Sequence, residues 1–149
     1  MKTVAVAKTN ILKASEKLQS SLDAVGSKQR YPAAHVLFRE DGKSVGVYLV
    51  CKGKVRMGVR DLPNLDRDFG AGSLLGLPST FTGHRYSLTA VTLAASEVVH
   101  VPRAQFLELM RERPDLCREA TDMLGREVTF IQSALAERHR QLALAAAAS

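Results

Sequence analysis

Hydrophobic residues change their spacing twice along this chain. From about Thr9 to Val25, the apolar residues Ile11, Leu18, Leu22 and Val25 fall near helical spacing with Lys13 and Lys17 off that face, which predicts a short amphipathic helix. From about Gln29 to Val101 the period drops to two. Val55, Met57 and Val59 alternate with Arg56, Gly58 and Arg60, as in a strand with one buried face. "HVLFR" and "VGVYLVC" flank "EDGKS", whose Asp41-Gly42 pair signals a hairpin turn. Lys52-Gly53-Lys54 predicts the next turn, and "YSLTAVTLA" with "SEVVHV" a final strand pair. Short strands separated by glycine turns indicate an antiparallel sandwich or barrel.

Beyond Pro102 the pattern is helical again. Pro102 and Pro114 suit the first turns of two helices, one over about Arg103–Glu112 and one from Pro114 to roughly Leu144. In the second, Leu124, Val128, Ile131, Leu135 and Leu142 recur at 4-3-4-7 spacing, with Arg138 in the skipped slot. That stripe outruns any neighbouring sheet, so it predicts a dimer seam. The chain therefore divides into an N-terminal helix (1–28), a β region (29–101) and C-terminal helices (102–149), expected to form one domain.

Composition narrows the function classes. The chain has 149 residues, 46% of them hydrophobic and 24% charged, a globular profile. No apolar run approaches the roughly 20 residues of a membrane span, and Lys8 and Lys13 interrupt the N-terminal apolar stretch where a secretory signal needs continuity. Cys51 and Cys117 are too few for a disulfide framework, so a reduced cytoplasm is expected. Of the basic residues, 12 of 21 lie in residues 1–60 against 4 acids. Aromatics for base stacking amount to only 5%, and direct DNA binding by this chain is not expected. The four histidines, His35, His84, His100 and His139, are far apart and show no metal-ligand spacing. No nucleophile elbow is present. Neither an enzyme nor a cofactor is expected.

The stretch Gly76–Ala90, "GLPSTFTGHRYSLTA", carries the candidate chemistry. Together with "YPAAHVLFREDGKSVGVYLVCKGKVRMGV" and "SEVVHVPRAQFLELM", it resembles the cyclic nucleotide-binding domain of CRP/FNR-type regulators. The resemblance runs from about Gln29 to Leu135. It implies a mainly β jelly-roll barrel with flanking helices, a short phosphate-cassette helix and a long dimerisation helix. It also implies a cassette in which backbone N–H groups meet the phosphate, a Glu takes the ribose hydroxyl, and an Arg-Ser pair on the next strand grips the phosphate. Gly76 matches the opening glycine and Ser87 the serine. Leu77 stands at the Glu position and Tyr86 at the Arg position. Pro78 has no N–H to donate. Arg85 is one residue early, which in a strand points it to the opposite face.

The resemblance thus implies a non-catalytic sensor with a degenerate cassette that does not bind cAMP or cGMP well. Its pocket is expected to be partly filled by Tyr86 or to take another small ligand through Ser79, Thr80 and Ser87. The alternatives are a structural dimerisation module with a closed pocket, or the sensor half of a transcription regulator. The helix-turn-helix that normally follows the long helix is expected to be missing.

Overall fold

The computed structural model describes residues 11–148. Its elements are α1 (Glu16–Val25), β1 (Ser27–Tyr31), β2 (Val36–Phe38), β3 (Gly46–Lys52), β4 (Val55–Val59), β5 (Leu62–Phe69) and β6 (Leu74–Leu75). There follow α2 (Leu77–Thr82), β7 (Thr89–Thr92), β8 (Ser96–Pro102), α3 (Arg103–Glu112) and α4 (Pro114–Ala148). The strands form two antiparallel four-stranded sheets, ordered β1-β8-β3-β6 and β2-β7-β4-β5. The two sheets share one core but are not hydrogen-bonded into a closed barrel. Phe38 of one meets Tyr48 of the other with ring centroids 5.6 Å apart.

Strand order departs from the sequence reading at three turns. The Asp41-Gly42 turn forms, with the Gly42 N–H bonded to the Arg39 carbonyl at 2.9 Å, yet it joins β2 and β3 in different sheets. The Gly53 turn likewise carries the chain from β3 in one sheet to β4 in the other, and β7 and β8 do not pair. Strands adjacent in sequence pair only at β4–β5, where Val59 opposes Leu62. A turn signal fixes a reversal of direction; the partner is chosen by which inward faces meet in the core. The alternation in β4 is as expected, with Val55 and Met57 buried and Arg56 exposed.

The N-terminal helix starts later than its apolar spacing suggests. Ser15 caps it, its hydroxyl accepting from the Leu18 N–H at 3.1 Å, because a hydroxyl there satisfies a donor that has no partner within the helix. Ile11 precedes the helix and Val25 is 41% exposed, leaving Leu18 and Leu22 as its buried face. Thr9 and Asn10 lie outside the described residues. Ser15 also donates to Glu119 at 2.7 Å, tying α1 to α4. At the other end, α3 spans the expected residues, but Pro102 closes β8 and sits just ahead of the helix. Phe106 of α3 meets Phe81 of α2 edge-on at 5.5 Å, which seats the short helix against the core.

Candidate ligand site

The short helix α2 is set by two glycines with positive φ, Gly76 (91°) before it and Gly83 (79°) after it. Gly76 is tightly placed, and its positive φ strains any residue with a side chain. A Cβ there would lie 3.1 Å from the Gly46 carbonyl oxygen and 3.4 Å from Tyr86 Cε1. Within the helix, Ser79 and Thr80 are buried, and both hydroxyls donate back to the Gly76 carbonyl, at 3.3 and 2.8 Å. The far end is held by Arg103, whose Nε donates to the Thr80 carbonyl at 2.8 Å. Of the three hydroxyls expected to meet a ligand, Ser79 and Thr80 are thus engaged in closing their own turn, whereas Ser87 is exposed.

Arg85, Tyr86 and Ser87 precede β7 rather than standing on it. They are pinned to the Asp41-Gly42 turn instead: the Asp41 N–H donates to the Tyr86 carbonyl at 2.8 Å, and the Tyr86 N–H to the Gly42 carbonyl at 3.0 Å. Arg85 is exposed and donates to the Asp41 carbonyl at 2.8 Å. Tyr86 is 3% exposed and stacks on Phe38 with centroids 4.2 Å apart. Its hydroxyl donates to the Gly46 carbonyl at 2.9 Å and accepts from the Val45 N–H at 3.1 Å. Burial pushes its phenol up, and that of Tyr48 up to about 12, so both rings stay neutral.

What remains beside Tyr86 is a cavity of about 10 Å3, lined by Phe38, Gly76, Ser79, Ser87 and Glu127 among others. That is the space of a single water molecule. Glu127, which comes from α4, is 3% exposed, and its Oε1 has no hydrogen-bond partner. Burial alone pushes its carboxyl up to about 8. Sequence reading passed over this residue, because between Arg126 and Val128 it looks like an ordinary solvent-facing position.

Helix α4 is buried along Leu116, Ala120, Met123 and Glu127, not along the expected seam. Leu124, Val128 and Ile131 are half-buried, with Leu124 and Ile131 packed against the core's edge. Leu135 and Leu142 are 41% and 56% exposed. Around β5 and the same helix runs an open groove of about 900 Å3, lined by Arg67, Asp122, Arg126, Phe130 and Glu137 among others. Cys51 is half-buried, and burial pushes its thiol up. Among the described residues, no group of three His, Cys, Asp or Glu is placed to hold a metal ion, and no helix is long and apolar enough to cross a membrane.

The family model of the cyclic nucleotide-binding domain matches residues 28–113, more than half of the chain. The chain belongs to this family. Among solved structures similar to this cyclic nucleotide-binding domain is the catabolite activator protein of Thermus thermophilus. It is 24% identical with a TM-score of 0.66, over 89% of this chain and 60% of that one. The c-di-GMP-responsive global regulator CLP of Xanthomonas campestris is 17% identical with a TM-score of 0.67, over 85% of this chain and 64% of that one. At these identities the likeness is one of fold. Lysophospholipase nte1 of Neurospora crassa is 32% identical over 88 residues, which are 56% of this chain and 6% of that protein. The similarity there covers only a small part of the lysophospholipase.

Proposed function

We propose that this domain is a non-catalytic regulatory module of CRP/FNR type whose cassette does not hold cAMP or cGMP at useful affinity. The observation that carries the reading is Tyr86, buried against Phe38 beside a space of only about 10 Å3; the resemblance implies an arginine at this position in a cassette that grips phosphate. Ligand pockets usually occupy about 300–1,000 Å3. The missing Arg and Glu contacts, at roughly 1.5–3 kcal/mol per charged hydrogen bond, together remove on the order of 4 kcal/mol, or about a thousandfold in affinity. That Arg85 is exposed and donates to the Asp41 carbonyl of the neighbouring turn supports the reading that it does not replace the missing cation. Calorimetric titration with cAMP and with cGMP is expected to give no saturable binding in the micromolar range. A micromolar or tighter dissociation constant for either overturns the reading.

Two versions of this role differ in whether another ligand enters. As a sensor, the domain admits a different small molecule at Ser79, Thr80 and Ser87 once Tyr86 swings aside, and transmits its arrival through α4. As a closed interaction module, it keeps Tyr86 in place permanently, and the small cavity favours this version. A thermal-shift screen of nucleotides, second messengers and small acids separates them, since a ligand of the folded state raises the melting temperature.

In either version, or as the sensor half of a transcription regulator in the cytoplasm, the domain acts as a homodimer. Its seam is Leu124, Val128, Ile131, Leu135 and Leu142, and the exposure of Leu135 and Leu142 supports it. Sedimentation at micromolar concentration is expected to give a dimer for the unaltered chain and a monomer for the double variant Leu135→Lys, Leu142→Lys. An unaltered chain that sediments as a monomer refutes the seam.

A further inference from the structure

Glu127 is the last residue of α4 to be fully buried; beyond it every position is half-buried or exposed. Its carboxyl lies between two cavities of about 10 Å3 each. One is the remnant of the cassette, with Phe38, Met57, Tyr86, Ser87 and Leu88. The other is closed by Ile11, Leu65, Arg67, Phe69 and Phe130. A carboxylate in such surroundings, with its Oε1 lacking a hydrogen-bond partner, is costly, because it loses hydration and gains little in return. The helix that carries it is also weakened close by: Gly125 stands mid-helix where an added Cβ would meet nothing within 4 Å, so no packing need accounts for the glycine.

We propose that Glu127 is a proton-dependent latch on α4: with its carboxyl neutral the helix stays seated over the closed cassette, and with it ionised the helix from Gly125 onward lifts away. The groups facing it are few. From the cassette side comes the neutral phenol of Tyr86. From β5 comes Arg67, whose guanidinium lies over the Phe130 ring at 4.6 Å and donates to the Asp66 carbonyl at 2.8 Å. On α4 itself, Arg126 is turned to the Ile11 carbonyl at 3.1 Å, Glu137 is paired with Arg140, and Asp122 lines the outer groove. Strand β4 contributes apolar Met57, and the short segment before β7 contributes, besides Tyr86, the uncharged Ser87 and apolar Leu88. An ionised Glu127 therefore either draws Arg67 off Phe130 or leaves its site, and both loosen α4 from β5.

The sign follows from the direction of the shift. The seated carboxyl titrates near 8, well above an ordinary glutamate, so the seated state binds the extra proton. Seating is complete at low pH and weakens as pH rises from about 4.5 to 8, with the opening equilibrium growing at most about tenfold per pH unit and levelling off above 8. Hydrogen exchange of the α4 amides, corrected for the intrinsic pH dependence of exchange, reads this opening directly on the intact chain. The unaltered protein is expected to show the rise. Glu127→Gln and Glu127→Leu are expected to give flat profiles, with far-ultraviolet circular dichroism verifying that each is folded. Two results would overturn the latch: a flat profile in the unaltered chain, or the same rise in either folded variant.

Discussion

Tyr86→Ala is expected to lower the stability of the domain by about 3–5 kcal/mol, the range for removing a large buried ring from a packed core. The loss has two sources that a second variant separates. Tyr86→Phe keeps the ring on Phe38 but removes the partner of the part-buried Val45 N–H and of the buried Gly46 carbonyl, and an unsatisfied buried group costs about 1–3 kcal/mol. The remainder belongs to the vacated volume. Urea unfolding with an unchanged slope reads both numbers, since a change in midpoint alone reports stability. If Tyr86→Ala unfolds at the same urea concentration as the unaltered chain, then Tyr86 does not brace the site, and its role as a structural plug is wrong.

The second large effect is expected at Gly46. Its φ is 132°, a backbone conformation that side-chain-bearing residues rarely adopt, and a Cβ would lie 2.1 Å from the Val101 carbonyl oxygen and 2.9 Å from Pro102 Cα. Both obstacles are backbone atoms of the neighbouring strand β8, so neither can swing away. Gly46→Ala is expected to cost on the order of 4 kcal/mol. Against a typical total of about 5–15 kcal/mol, the variant should melt far earlier or fail to accumulate as folded protein. The damage would reach the site, because the Gly46 carbonyl receives the Tyr86 hydroxyl. Gly125→Ala is the opposite control: mid-helix and free of neighbours, it should raise stability by about 0.5–1 kcal/mol. Thermal melts of the two variants side by side test the pair; equal effects would mean that the close approach at Gly46 is not what demands glycine.

The ends of the chain's elements were legible wherever local rules act alone. The bounds of α3 follow from Pro102 and Pro114 on either side, and the burial of β4 from its strict alternation. The short helix α2 was legible through the family resemblance, whose opening glycine Gly76 matches, and the tyrosine two residues beyond His84 is visible without coordinates. That the hydroxyls of Ser79 and Thr80 fold back on Gly76 was not legible, since a free and an engaged hydroxyl are written with the same letter.

The long helix shows the limit most clearly. Its apolar positions contain two overlapping stripes about one residue apart, and one residue is only about 100° of rotation. The sequence alone determined that α4 is long and amphipathic and that Leu135 and Leu142 continue past the sheets. Only the tertiary structure decided that Leu116, Ala120, Met123 and Glu127 form the face seated on the domain, because the sheets present a fixed surface that accepts one rotation of the helix. The strands divide along the same line. Local pattern located β2, β3, β4, β7 and β8 but not β1, β5 or β6, and partners were assigned by the packing of two sheets on a common core. That packing energy depends on residues far apart in sequence, which no local period records.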